Sequence, residues 1–169
     1  MRDLTVDLLK HLFDYDKETG NLIWKVSNTN KQKIGDIAGS LNPKEGYIRV
    51  GINGKKYYAH RLIFLYHKGY LPKTIDHINC DKADNRIENL RAVTASQNQH
   101  NRKLNSNNTS GYKGVYYHKP LNKWCAKIRL ESKRMHLGYY NTPEEATEVL
   151  RKAREELHGV FANHGDNND

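Results

Sequence analysis

Asp76, His77 and Asn98 are the residues of this chain whose types and spacing could do chemistry together. Asp76 and Asn98 offer hard oxygen donors, which suit Mg2+ or Mn2+ and not a thiolate-seeking metal. His77 carries the side chain most easily neutral and basic near neutral pH. A hard cation beside a neutral imidazole can activate water against a phosphodiester. The three sit in one stretch, TIDHINCDKADNRIENLRAVTASQNQH, from Thr74 to His100. An apolar-flanked strand carries Asp76 and His77, and a polar loop follows over Asn79–Arg86. Ile87-Glu88-Asn89-Leu90 returns to a β-like run, Leu90–Val93. Thr94-Ala95-Ser96-Gln97 then has the pattern of a capping box, which puts Asn98 in the first or second turn of a helix. Adjacent strand residues point to opposite faces. Asp76 and His77 are therefore expected to share a site only where the backbone leaves regular β geometry.

The order Asp-His, then Ile-Glu-Asn-Leu, then Ser-x-Asn resembles the motif of phage-type HNH homing endonucleases, the ββα-metal nucleases. That resemblance implies His77 as general base, Asn89 as the brace of the loop, and Asp76 with Asn98 as metal ligands. It also implies cleavage that leaves 5′-phosphate and 3′-hydroxyl ends. Upstream, AHRLIFLYHKGYLP is similar to the segment that leads into the motif in such nucleases. His60 and Arg61 are candidates to reach the scissile phosphate as cationic or donor groups. The other reading of His60 is a satisfied polar residue that packs the helix start.

Composition bounds the alternatives. A chain of 169 residues suits one or two small domains with modest cores. It is polar, with a mean hydropathy of −0.91. Eleven tyrosines and clear periodic segments nevertheless argue against wholesale disorder. A formal charge of +9 points to a polyanionic partner, and the resemblance implies that it is double-stranded DNA. No apolar run approaches ~20 residues, so no membrane span is expected, and the start lacks a signal-peptide core. Cys80 and Cys125 stand apart with no Cys-x-x-Cys pair, which disfavours structural zinc and a disulfide framework. The expected location is the cytoplasm, the host cytosol if the chain is phage-encoded. No small-molecule cofactor is expected, and a monomer is favoured.

Residues 1–100 are expected to form the nuclease domain with its scaffold. Leu8, Leu9, Leu12 and Phe13 make one helical face. Asn21–Val26 is a short strand carrying Trp24. Gly46–Ala59 has the pattern of a hairpin whose Asn53-Gly54 supplies a type I′ turn. His60–Lys68 follows as a short apolar helix. Asn101–Ser110 is polar and without periodicity, the pattern of a linker, and its Arg102 and Lys103 favour phosphate contacts.

Residues 111–163 form a second unit: three strand candidates, GVYYHK, WCAKIRL and MHLGYY, then a helix opened by Thr142-Pro143-Glu144-Glu145. Ala146, Val149, Leu150, Ala153 and Leu157 make one face to lay on the sheet. Gly111–Asn141 holds seven Lys/Arg against Glu131 alone, a net charge of +6. Lys113-Gly114-Val115, the run Trp124–Arg129, Leu137–Tyr140 and Thr142–Ala146 make the unit similar to the ethylene-response-factor (Apetala-type) DNA-binding domain. In that family the sheet lies in the major groove. The matching positions are Lys113, Tyr116, His118, Trp124, Lys127, Arg129 and Arg134. Lys113 and Tyr116 replace the usual arginines, so the family's base preference does not carry over. Residues 164–169 are expected to be a disordered tail.

The expected fold class is therefore α+β: an N-terminal ββα-metal HNH nuclease domain, then a small three-stranded antiparallel sheet packed on one helix. The expected function is a homing-type DNA endonuclease with one divalent metal and a histidine base, its site choice aided by the C-terminal unit. The alternative is a sequence-specific DNA-binding regulator that keeps the fold without cutting.

Overall fold

The computed structural model describes residues 4–27, 32–101, 104, 108, 110–130 and 133–165. Among them run four helices and several small antiparallel sheets, a mixed α/β arrangement. The chain divides into two units, residues 1–93 and 94–169.

In the first unit, α1 (Val6–Leu12) starts where the Thr5 hydroxyl accepts the Leu8 N–H. The helical face expected through Phe13 stops one residue short. Phe13 opens β1 (Phe13–Asp16), which pairs antiparallel with β2 (Asn21–Trp24). Phe13 is the strand partner of Trp24, with ring centroids 4.3 Å apart, so packing across the hairpin prevails over another helical residue. β3 (Ser40–Asn42), β4 (Tyr47–Ile52) and β5 (Lys55–Tyr58) form a three-stranded sheet in that order. The sequence marks only its last two strands. Asn53 and Gly54 both have positive φ, 49° and 76°, as a type I′ turn requires.

α2 (Ala59–Lys68) buries Ala59, His60 and Leu62–Leu65. With Leu9, Leu12, Phe13, Leu22, Trp24, Val50, Ile52 and Leu90 these apolar side chains make one core. Each fully buried Leu, Ile or Phe contributes about 1.5–3 kcal/mol of transfer free energy. That core anchors β7 (Leu90–Val93) through Leu90, and β7 holds β6 (Thr74–His77) in antiparallel register.

In the second unit, α3 (Ala95–His100) is opened by the full capping box. The Thr94 side chain accepts from the Gln97 N–H, and the Gln97 side chain accepts from the Thr94 N–H. β8 (Val115–His118), β9 (Lys123–Leu130) and β10 (Lys133–Tyr140) form an antiparallel sheet, with β9 central. α4 (Pro143–His158) lays Ala146 and Leu150 on it, against Val115, Ala126 and Ile128. The same helix face continues to Arg154, which is buried and donates to the backbone carbonyls of Lys113 and His164.

The division falls after Val93, so α3 belongs to the second unit, although the sequence pattern groups it with the nuclease scaffold. The cause is local: α3 lies against the single turn Gly159–Phe161, and Asn163 Nδ2 donates to Asn101 Oδ1 at 3.4 Å. Most of the proposed linker 101–110, and residues 166–169 of the proposed tail, lie outside the described residues. No helix among the described residues is long and apolar enough to cross a membrane.

Candidate active site

β6 and β7 are equally long and pair without a break, Thr74 with Val93, Asp76 with Arg91, and His77 with Leu90. The expected departure from β geometry at Asp76-His77 does not occur. The two side chains leave opposite sides of the ribbon, and the chain turns only after His77, whose carbonyl accepts the Cys80 N–H at 2.9 Å. On one side the Asp76 carboxylate accepts from Arg91 Nε at 2.9 Å and from Nη2 at 2.8 Å. Cross-strand register brings these two together. An ion pair so buried costs about 3–5 kcal/mol to break by deleting one partner.

On the other side, the His77 ring meets the start of α2 and the face of β4. Its centroid is 5.1 Å from His60, in a T-shaped arrangement, and 6.0 Å from Tyr47. His77 Nε2 lies 3.1 Å from Asn85 Oδ1. Burial pushes the His77 value below the usual histidine range, against the Asn85 hydrogen bond and the charges of Asp76, Asp81 and Asp84, which raise it. The imidazole is therefore neutral at neutral pH.

His60 is more strongly affected. Burial first, then the His77 and Arg61 charges, push it down to about 3. Its ring sits 5.1 Å from Tyr47 and 5.5 Å from Tyr58, and its Nδ1 is buried without a hydrogen-bond partner. At neutral pH it is a neutral ring and not a cationic phosphate contact. Arg61 points elsewhere, donating from Nη2 to the Pro72 carbonyl at 3.3 Å.

Asn89 ties the loop together. Its Oδ1 accepts the Asn79 N–H at 3.0 Å, and its Nδ2 donates to Asn79 Oδ1 at 3.0 Å and to the Asp84 carbonyl at 2.8 Å. Asp84, held down to about 2 chiefly by its Arg86 hydrogen bond, also accepts from Asn79 Nδ2. Among the described residues, every buried polar side chain of the first unit is one of His60, Asp76, His77, Asn85 and Asn89. Burying polar groups costs stability unless they are paired, so such a concentration marks a site shaped for chemistry. Beside it, the outer face of the β3–β4–β5 sheet presents Tyr47, Arg49, Lys56 and Tyr58. Lys82 Nζ stands 4.8 Å from the Tyr47 ring centroid.

In the second unit, strand alternation sorts the candidate contacts. Tyr116, His118, Lys123, Cys125, Lys127, Arg129, Arg134, His136 and Tyr139 share the face away from α4. Among the described residues that face carries Lys123, Lys127, Arg129 and Arg134 with no carboxylate. Lys127 Nζ stands 4.8 Å from the Tyr116 ring centroid. Trp124, expected among the contacts, is on the α4 side, packed against the core with Tyr117 at 5.2 Å. Lys113 also turns away, donating to the Asn163 carbonyl at 2.8 Å. Arg102 and Lys103 lie outside the described residues.

Asn98 lies in α3, the helix that follows β7 directly. Among the described residues no three His, Cys, Asp or Glu side chains gather as a preformed cation cage. The Asp76 carboxylate and the Asn98 amide oxygen are each hard donors of the kind that Mg2+ or Mn2+ takes. Asn85, Arg91, Tyr47 and Tyr15 escaped the sequence reading. Arg91 alone had a visible signal, since equal strands 74–77 and 90–93 set it opposite Asp76.

Residues 57–100 match the HNH endonuclease family, a span from the end of β5 through α3. Protein 3.8 of Escherichia phage T7 is 34% identical over 95 residues, covering 56% of this chain and 75% of that protein. The chain carries an HNH endonuclease domain at residues 57–100 and is a homologue of that phage protein. No solved structure matches.

Proposed function

We propose that the protein is a DNA endonuclease of homing type, in which His77 is the general base for phosphodiester hydrolysis. The observation that carries this reading is the buried, neutral His77 imidazole at the head of a loop braced by Asn89. His77 takes the proton from the attacking water. Asn89 fixes the loop on which the base depends. Arg91 holds the Asp76 carboxylate. Mg2+ or Mn2+, for which Asp76 and Asn98 are the ligands that the HNH resemblance implies, would supply positive charge for the developing 3′ oxyanion. The outer face of β8–β10 is the DNA-docking surface, its cations reaching phosphates and Arg129 a base edge.

Supercoiled plasmid tests this reading. With Mg2+ the wild type should produce nicked or linear DNA, EDTA should stop it, and His77→Ala should abolish it with DNA affinity kept within about threefold. Undiminished cutting by His77→Ala refutes the base assignment. Binding without any cutting favours a regulator that keeps the fold.

A further inference from the structure

We propose that Asn85 is the positioning residue for His77: its side-chain oxygen selects the Nε2–H tautomer of the imidazole, and the β1–β2 hairpin holds Asn85 in place. This rests on His77 being the base. Asn85 is 1% exposed, the most deeply buried polar side chain among the described residues, and its Oδ1 is 3.1 Å from His77 Nε2. A carboxamide oxygen only accepts, so Nε2 carries the hydrogen and the basic lone pair belongs to Nδ1. A solvated imidazole exchanges between tautomers and turns about its last torsion. A ring clasped at Nε2 and stacked edge-on against His60 presents one nitrogen in one direction.

Asn85 itself is fixed from several sides. Before it, the Asp84 carbonyl accepts from Asn89 Nδ2. After it, Arg86 pairs with Asp84, and the Ile87 N–H donates to the Tyr15 hydroxyl at 2.8 Å. Tyr15 belongs to β1, and the turn that joins β1 to β2 brings Gly20 against the same peptide. A Cβ on Gly20 would meet the Arg86 nitrogen and lie 2.6 Å from the Asn85 carbonyl carbon. Gly20 also holds φ at +72°, a region that side chains avoid. The bare Cα is thus a seat for the Asn85–Arg86 peptide. A residue far from the motif in sequence governs where the His77 partner stands.

The tautomer is directly observable. Long-range 1H–15N correlation spectra of full-length, histidine-labelled protein, with His77 assigned from His77→Ala, should show the wild-type ring as Nε2–H. Asn85→Leu should lose that preference and slow plasmid nicking at least about tenfold, while DNA affinity stays within about threefold. Asn85→Asp keeps an acceptor and should retain the tautomer and most of the rate. Gly20→Ala should repeat the Asn85→Leu spectrum, and it keeps the test decisive, together with the wild-type spectrum, should Asn85→Leu fail to fold. A wild-type His77 found as Nδ1–H, or an Asn85→Leu ring still purely Nε2–H, overturns the proposal. Should no form of the protein cut DNA while the spectra change as expected, the nuclease reading fails and the Asn85–His77 coupling stands.

Discussion

His60 should make the first unit acid-sensitive by a calculable amount. Its ring is buried among Tyr47, Tyr58 and His77, and its value falls from 6.5 to about 3 on folding. The folded state therefore disfavours the proton. The stability tied to the neutral ring is fully present above pH 6.5 and is lost as pH falls toward 3. At about 1.4 kcal/mol per pH unit, the whole interval amounts to about 5 kcal/mol as a ceiling. Between pH 7 and pH 5 the same linkage gives about 2 kcal/mol. His60→Phe removes the titrating group and keeps an aromatic ring in the stack. Urea unfolding at pH 7, 6 and 5 measures the effect, followed through Trp24, buried in this unit, in a Trp124→Phe background. The wild type should lose about 2 kcal/mol more than His60→Phe over that range, whatever the two stabilities are at pH 7. Subtraction cancels His67, which burial also lowers and which does not touch the His60 ring. Equal slopes in the two proteins would show that the His60 ring is solvated, and would refute the reasoning.

The nicking rate should hold to pH values below 6.5 and fall only as pH passes through the lowered His77 value, because the neutral ring is the base; a rate that rises with acid would count against it. Arg91→Leu should cost about 3–5 kcal/mol in urea unfolding, since it leaves the Asp76 carboxylate buried, and Asp76→Asn added to it should recover part of that loss. Arg129→Ala should weaken binding to the cognate duplex by about 1–3 kcal/mol, and Lys127→Ala should lower the salt slope of binding by roughly one. Trp124→Phe should destabilise the second unit and leave DNA affinity unchanged in the same titrations, because its ring faces α4.

Local chemistry was legible in the sequence wherever one residue type has one structural use. Asn53-Gly54 demanded a type I′ turn, Thr94 to Gln97 a capping box, and Thr142-Pro143 a helix start, and each is found. Strands 74–77 and 90–93 were visible because apolar residues bound a polar loop between them. What alternation means for each side chain became clear only once strand ends and register were known. Trp124 was placed among the DNA contacts from its resemblance, yet its strand position turns it to α4. Phe13 continued a helical period, yet pairing with Trp24 drew it into a strand. The sequence named Asp76, His77 and Asn89 but not the partners that govern them. Arg91 reaches Asp76 across a strand pair, His60 closes on His77 from the start of α2, and Gly20 seats the Asn85 peptide from another hairpin. Those partners lie far off in sequence, and pattern reasoning sees only neighbours along the chain. Burial and hydrogen bonding act between neighbours in space, so only the folded chain decides which histidine is neutral and which nitrogen holds the proton.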